Sequence, residues 1–330
     1  MSAVDAPPIT PAEIQHSRRI IREPDDFRDA VSGMSLTVDF QKRQERVSMV
    51  EQFQTTNWAL DFGKANVRTR VRGVLRGGWG SFCLTRGPGT AVWNGQSAGP
   101  GFAALLPPND EVDGFTTPEY AWLTAAIPPR VWRDSLTLAG LDEGSIPHLR
   151  VCSLPPPLFT RIDRRLRDLQ WRISQTAASP IQEKSVQDDI TVFVSECFAI
   201  LCGLTARTAP PPSSLRNRTR LVRMAETWMH DHLAEPVRIP DVCLALRVSR
   251  RELEYAFRTI IDQSPRDNFQ ALRLHAVRRA LLRADGATNS LIQVAYAHGV
   301  THLGRFAANY RQLFGENPGV TMREGKFIGQ

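Results

Sequence analysis

Apolar positions along the chain follow two different periods, which divide it into a strand-like part and a helical part. Between residues 35 and 130, short apolar runs such as "GTAVWNG" and "YAWLTAAIPP" are each closed by turn residues. Strand-length runs separated by dense turns are typical of a small sandwich or barrel. From residue 158 onward, apolar residues recur every three or four positions, which indicates amphipathic helices.

Two helices are predicted directly after the strand-rich region. The run "LFTRIDRRLRDLQWRI" has apolar residues at helical spacing, and "IQEKSVQDDITVFVSECFAILCGL" is strongly apolar over its last half. The short connection "TAASP" makes the pair a helical hairpin. Its apolar surface exceeds what covering one barrel requires, so both core packing and self-association of the hairpin stay open.

A proline-rich segment, "TARTAPPPSSLR", separates this hairpin from the rest of the chain. Three prolines followed by two serines are typical of a semi-stiff, polar linker. The pattern therefore predicts a poorly ordered arm over 1–34, one domain over 35–204, a linker over 205–218 and a helical domain over 219–325.

The helical domain contains one layout twice. In "RIPDVCLALRVSRRELEYAFRTII", two short helices flank a break at 247–249, where Ser249 is available as an N-cap. About 52 residues later "SLIQVAYAHGVTHLGRFAANYRQLF" has the same form, and Gly299 permits a left-handed turn. Helix, short turn and helix is the helix-turn-helix arrangement.

A third helix, predicted over residues 264–284, joins the two units. Roughly 20 residues at ~1.5 Å each give a rod of ~30 Å. That length is close to the ~34 Å between successive major-groove faces on one side of B-DNA. The sequence therefore predicts two exposed helices held about one duplex turn apart.

Charge is unevenly distributed between the two parts of the chain. The net charge is +7, with 23 basic and 23 acidic residues up to Leu215 but 18 basic and 11 acidic residues from Arg216 onward. All the excess positive charge lies in the helical third, which favours a polyanionic partner such as nucleic acid.

The segment "AYAHGVTHLGRFAANYRQLFGENP" is similar to the signature of the AraC/XylS family of bacterial transcription regulators. The resemblance covers residues 219–325 strongly and the upstream part only in layout. It implies an α+β protein, with an N-terminal cupin-like β-barrel sensor and helical hairpin followed by an all-α tandem helix-turn-helix domain. Arg247 stands where the family usually has Gly, and Val300 replaces the usual aromatic residue.

The resemblance, together with the exposed faces of the two second helices, gives a set of candidate DNA contacts. Arginine is the commonest specific reader of guanine, and phosphates attract the remaining cations and helix N-termini. The candidates for base contact are Arg250, Arg251, Glu254, Tyr255, Arg258, His302, Arg305 and Asn309. The candidates for phosphate contact are Ser249, Thr301, Arg278, Arg279 and Arg311.

The strand-rich part lacks the residues of a metal or nucleotide enzyme. It is preceded by His16 and followed by His148, its Gly-rich turns lack the Lys-Ser/Thr of a phosphate loop, and no Gly-x-Ser-x-Gly elbow occurs. We therefore expect no metal, no cofactor and no enzymatic activity. Aromatic and Arg residues instead favour a small-molecule pocket, with Arg70, Arg72, Trp79 and Trp93 as candidates and an aromatic acid as ligand by family analogy alone.

Five cysteines, an odd number without a CxxC pair, argue against a disulfide framework or a Cys₄ zinc site. Neither a secretory signal nor an apolar run of membrane-spanning length is evident, so we expect a cytoplasmic protein with no membrane partner.

The combined expectation is a sequence-specific DNA-binding transcriptional regulator, in particular an activator that responds to a small molecule. Its partners would be double-stranded DNA, a second copy of the chain and, by the resemblance, RNA polymerase. Two alternatives stay open at this point: a DNA-binding regulator without an effector, and a β-barrel enzyme or binder whose helical tail serves for docking.

Overall fold

A computed structural model describes residues 14–21, 26–27, 34–40, 48–175, 180–283, 290–300 and 302–328. Contacts divide the chain into two compact units, with the main boundary between Pro211 and Pro212, and the short segment Val67–Arg70 groups with the second unit. The predicted α+β fold class is confirmed, because the first unit is rich in sheet and the second is helical.

The first unit contains two sheets. The larger has the order β1-β3-β4-β11-β6-β9-β12, and the smaller has the order β2-β5-β10-β7-β8. The strands are β1 Gln15–Ile21, β2 Met34–Phe40, β3 Ser48–Gln54, β4 Ala59–Ala65, β5 Thr69–Leu75, β6 Gly80–Arg86, β7 Ala91–Trp93, β8 Gln96–Ala98, β9 Phe102–Leu106, β10 Glu111–Thr116, β11 Tyr120–Ile127 and β12 Arg150–Ser153. Every pairing in the seven-stranded sheet is antiparallel.

Three helices cover one face of the seven-stranded sheet: α1 Pro129–Leu138, α2 Pro156–Gln175 and α3 Pro180–Ala206. The face beneath them is apolar because alternate residues of each strand point to the same side. Phe82 of β6 lies on that face and packs against Phe198 of α3, with ring centroids 4.8 Å apart. This contact lies in a continuous core that joins the sheet to the helices.

Helix α3 contains an apolar stretch of a length that the sequence analysis did not identify. Its segment Lys184–Ala206 is long and apolar enough to cross a membrane by length and composition. In this fold, however, Ile190, Phe198 and Leu201 of α3 are completely buried against the sheet and its neighbouring helices. Core packing therefore accounts for the buried side of the helix, whereas Val192 and Ile200 remain exposed.

The predicted arm and linker are both shorter than expected within the described residues. Gln15–Ile21, placed in the arm, forms β1 and pairs with β3, so the expectation of disorder is wrong there. Helix α3 continues to Ala206 and the next helix begins at Ser213, immediately after the prolines. Proline is well suited to the residues before a helix, because the first N–H groups have no helical partner.

From Pro212 onward, the part of the second unit that the structure describes contains helices and no strand. They are α4 Ser213–Asp231, α5 Ile239–Leu246, α6 Arg250–Ile261, α7 Pro265–Arg283, α8 Leu291–Ala297, α9 Leu303–Phe314 and α10 Pro318–Ile328. The pairs α5/α6 and α8/α9 are the two predicted helix-turn-helix units, and α7 is the predicted connecting helix.

The other face of the seven-stranded sheet carries a row of polar side chains. Cross-strand neighbours place Gln52 opposite Asp61, Asp61 opposite Thr124, and Thr124 opposite Cys83. The Gln52 amide donates to Asp61 Oδ1 at 2.5 Å. Burial raises the pKa of the Asp61 carboxyl from 3.8 to about 7, although the bond from Gln52 lowers it.

We predict that the first unit loses stability as the pH rises through neutrality and that Asp61→Asn removes much of this loss. A carboxyl whose pKa is raised in the folded state binds its proton more tightly there than in the unfolded chain, so stability falls between the unfolded value of 3.8 and the folded value of about 7. The loss between pH 5 and pH 8 should be roughly 3 kcal/mol.

Thermal melts followed by tryptophan fluorescence measure this, since six of the seven tryptophans precede residue 212. The neutral, isosteric Asn variant should melt at a nearly constant temperature over the same pH range. Parallel pH profiles for the two proteins would contradict the assignment of the titration to Asp61.

Candidate nucleic-acid interface

The first helix-turn-helix turns sharply at Arg247, the residue that departs from the family pattern. Arg247 adopts the left-handed conformation, with φ 55° and ψ 43°, and ends α5. Such a backbone costs a side-chain-bearing residue roughly 1–2 kcal/mol. Two hydrogen bonds hold the turn: the Val248 N–H donates to the Cys243 carbonyl at 3.0 Å, and the Ser249 hydroxyl accepts from the Glu252 N–H at 3.1 Å. Ser249 is thus the N-cap of α6, as predicted.

Helix α6 is anchored by its apolar side and presents its polar side to solvent. Leu253, Phe257 and Ile260 are fully buried. The predicted base-contact residues Arg250, Arg251, Tyr255 and Arg258 are exposed, and Glu254 is half-buried. Glu254 Oε1 lies 4.0 Å from Arg250 Nε, so its negative charge is partly offset within the helix.

The second helix-turn-helix uses glycine at the same point. Gly299 has φ +72°, and a Cβ added there would lie 2.5 Å from the carbonyl oxygen of Leu233. Only glycine fits this turn, because any side chain would meet both an unfavourable backbone and a fixed carbonyl. Thr301, a predicted phosphate contact in this turn, lies outside the described residues.

Helix α9 resembles α6 in its burial but not in its exposed surface. Phe306, Tyr310 and Phe314 are buried, which confirms the inward stripe read from the sequence. Among the predicted contacts on this helix and at its N-cap, His302, Arg305 and Arg311 are exposed and Asn309 is half-buried. The rest of its outer surface contains the small residues Gly304 and Ala308.

The connecting helix α7 is continuous from Pro265 to Arg283, a length of 19 residues. At ~1.5 Å per residue this is a rod of ~28 Å, close to the expected value. Ser264 caps it, with its hydroxyl accepting from the Asp267 N–H at 3.1 Å. Arg273 of α7 donates to the Leu233 carbonyl at 3.2 Å, which fixes the segment that contacts Gly299.

Arg278 does not have the phosphate-contacting role predicted for it. Its side chain is buried, and its guanidinium donates to Glu316 Oε1 at 2.7 Å, to Thr321 Oγ1 at 3.2 Å and to the Tyr310 hydroxyl at 3.3 Å. Tyr310 also donates to Thr321 at 2.8 Å. The prediction treats Arg278 as a surface charge, whereas it is a buried cross-link; the neighbouring Arg279, also a predicted phosphate contact, is half-exposed.

One candidate effector residue, Arg70, has an acidic partner of its own. Arg70, in the segment that groups with the second unit, is buried and paired with Glu226 of α4 at 2.8 Å. Glu226 also accepts from the Asn268 amide of α7 at 2.9 Å. An arginine committed to this network is not available as the predicted clamp for a carboxylate ligand.

The two candidate tryptophans differ in burial. Trp93 is buried in β7, and its ring lies edge-on to that of Tyr120 in the larger sheet, 6.2 Å between centroids. Trp79 and Arg72 are half-buried. Among the described residues, no group of three or more His, Cys, Asp or Glu side chains is arranged to hold a metal ion.

One exposed contact near α6 was missed by the sequence analysis. The guanidinium carbon of Arg218 in α4 lies 4.5 Å from the centroid of the Tyr255 ring. The sequence pattern places Arg218 in the predicted linker, because the apolar helical spacing begins only after residue 219. Tandem arginines at 216, 218, 220 and 223 with buried Thr219 and Val222 between them were the available signal.

This geometry defines a class of protein domain: a tandem helix-turn-helix with two exposed second helices and an excess of positive charge. Consistent with it, residues 242–324 match the family model described as "Helix-turn-helix domain". The match begins in α5 and ends in α10, so it contains both helix-turn-helix pairs.

Two regulatory proteins are similar in sequence to the helical part of this chain. The "Probable thc operon regulatory protein" of Rhodococcus erythropolis is 32% identical over 107 residues, which is 32% of this chain and 32% of the relative. The "XylDLEGF operon transcriptional activator" of Pseudomonas putida is 28% identical over 99 residues, 30% of this chain and 31% of the relative. The second unit is thus similar to the helix-turn-helix domains of these two operon regulators, in agreement with the sequence resemblance to the AraC/XylS family.

Structural similarity and coverage complete the comparison. A solved AraC-type transcriptional regulator from Chromobacterium violaceum is similar to this chain at 25% identity, over 33% of this chain and 95% of the other, with a TM-score of 0.31. The chain spans about a third of the length of the curated relatives it matches.

We predict that Arg278→Met destabilises the second unit while Arg279→Met does not. Removing Arg278 leaves the buried Glu316 carboxylate without its cationic partner, and breaking a buried pair from one side costs about 3–5 kcal/mol. Differential scanning calorimetry of both variants measures the difference. Equal unfolding temperatures for the two variants would show that the buried network contributes little.

Proposed function

We propose that this protein is a sequence-specific, DNA-binding transcriptional regulator. The observation that carries the proposal is the pair of exposed helices, α6 and α9, on one continuous connecting helix. Each second helix is buried on one side and presents arginines on the other. Such a helix is suited to the major groove, where arginine recognises guanine by two hydrogen bonds.

Electrostatics support the same function. The surplus of positive charge from Arg216 onward attracts the phosphate backbone of DNA, and its neutralisation releases counterions. Ser249 at the start of α6 and the half-exposed Arg279 are retained as phosphate contacts, together with Arg311. Binding should therefore weaken steeply as salt increases.

Control by a small molecule and the sign of regulation rest on the resemblance to activators of this type. The first unit, with its two sheets and buried polar row, is the part in which an effector would bind. Because Arg70 is engaged with Glu226, an aromatic acid held by that arginine is no longer supported. We place the protein in the cytoplasm, and we retain RNA polymerase as a partner by the resemblance alone.

Helices α2 and α3 supply the surface for a homodimer. The exposed row on α3 recurs every four residues and consists of Asp188, Val192, Glu196 and Ile200. The exposed face of α2 includes Arg161, Arg164 and Arg165, and a groove of about 520 Å³ lies between the two helices. Two copies related by a twofold axis would place the basic row of each against the acidic, aliphatic row of the other.

DNA binding is tested with the full-length chain by selection from random duplexes. We predict two short half-sites about 10 bp apart. Arg251→Ala and Arg305→Ala should each relax base preference at one half-site, at a cost of ~1–3 kcal/mol. A matched control is Arg133→Ala, an exposed arginine of α1, which should leave the selected sequence unchanged.

Two other outcomes would favour the alternatives. Equal affinity for selected and random duplexes would indicate an architectural DNA binder, and the absence of salt-dependent binding would leave only a β-domain binder with a helical tail. Footprinting with and without candidate ligands tests effector control, since identical protection throughout counts against it.

The dimer is tested by exchanging charges between the two rows. We predict that Glu196→Arg and Arg161→Glu each shift the protein toward monomer, because like charges would then face each other across the interface. The double variant should recover the dimer. Light scattering after size-exclusion chromatography gives the mass, with Asp134→Arg on α1 as the control. A monomeric wild-type protein, or no recovery in the double variant, would overturn this interface.

A further inference from the structure

The contact between Arg218 and Tyr255 joins helix α4 to the exposed surface of α6, the second helix of the first helix-turn-helix. The guanidinium carbon lies 4.5 Å from the ring centroid. The Tyr255 side chain is nevertheless 57% exposed, so the arginine covers only part of the ring. Among the residues that the structure describes, no carboxylate pairs with Arg218. Its charge is therefore not neutralised by an acidic neighbour.

Stacking of this kind has two physical consequences. A guanidinium over an aromatic face is attracted by the ring quadrupole and restricts the rotamers of both side chains. The planar guanidinium also keeps donors at its rim that the ring does not use. Tyr255 is thereby held in place at the surface of α6, beside a cation that is open to a phosphate oxygen.

The second half of the domain offers an internal comparison. Helices α4 and α7 both have 19 residues and are offset by 52, whereas α6 and α9 both have 12 residues and are offset by 53. At these offsets Gln270 is the equivalent of Arg218, and Ala308 is the equivalent of Tyr255. Arg251 corresponds to Gly304 in the same way. The second half therefore lacks the stacked pair and has no arginine at the position of Arg251, while its own Arg305 lies one position further along.

We infer that Arg218 is a positioning residue for recognition of DNA by Tyr255 and that it adds a phosphate contact of its own. The first helix-turn-helix thus carries more of the sequence preference than the second. The inference rests on the proposed function, since it requires α6 to enter a groove of duplex DNA. Ordering a side chain before binding removes an entropic cost that would otherwise reduce affinity for the correct site.

Arg218→Lys in the full-length protein separates stacking from charge. The lysine keeps the positive charge but loses the planar fork. We expect affinity for the selected duplex to fall roughly 3- to 10-fold, as for one side chain that must be immobilised on binding. Affinity for a scrambled duplex and the slope of log affinity against log salt should stay unchanged. Arg220→Lys, an exposed position on the same helix, should change neither affinity.

Two further variants complete the test. Arg218→Ala should also reduce the salt slope by about one, because a phosphate contact is lost. In a Tyr255→Ala background, Arg218→Lys should have no additional effect, since the two residues act as a pair. Equal losses on both duplexes, or a loss that persists without Tyr255, would overturn the inference. A wild-type protein that does not prefer its selected duplex would instead overturn the proposed function.

Discussion

The connecting helix α7 is the constraint on which the second unit depends, because it bonds to α4 near its start and packs against α9 further along. Near its start, Asn268 donates to Glu226 of α4. Further along, Leu274, Val277 and Leu281 lie in one apolar cluster with the buried aromatic residues of α9. A continuous helix cannot kink sharply between these anchors without losing backbone hydrogen bonds. The separation of helices α6 and α9 therefore follows from the packing of the single helix α7.

Periodicity predicted most of this helical architecture. Apolar residues at 3.6-residue spacing predicted both α6 and α9. Phe257 and Tyr310, which this spacing places on the inner side of the two helices, are buried. Alternating apolar runs likewise identified a sheet-rich first unit. The pattern did not identify β1, because its largely exposed residues "QHSRRII" pair through the backbone and show no buried face of their own.

The environments of individual arginine residues could not be predicted from the sequence. Arg70, Arg218, Arg251 and Arg278 are indistinguishable by type, and all were available as ligands of an anion. In the structure, Arg70 and Arg278 are buried cross-links, Arg218 stacks on a tyrosine, and Arg251 is open to solvent. These differences depend on partners such as Glu226 and Glu316 that are distant in the chain, so no local pattern contains them.

The buried hydrogen-bond network around Arg278 bears on how the domain forms during synthesis. Glu316 and Thr321 supply its acceptors, and both follow α9 in the chain. Until those two residues have left the ribosome, Arg278 lacks the Glu316 carboxylate and Tyr310 lacks the Thr321 oxygen that accepts its hydrogen bond. The first helix-turn-helix lies wholly upstream of these residues, so its chain is synthesised before the hydrogen-bond acceptors that the second one requires.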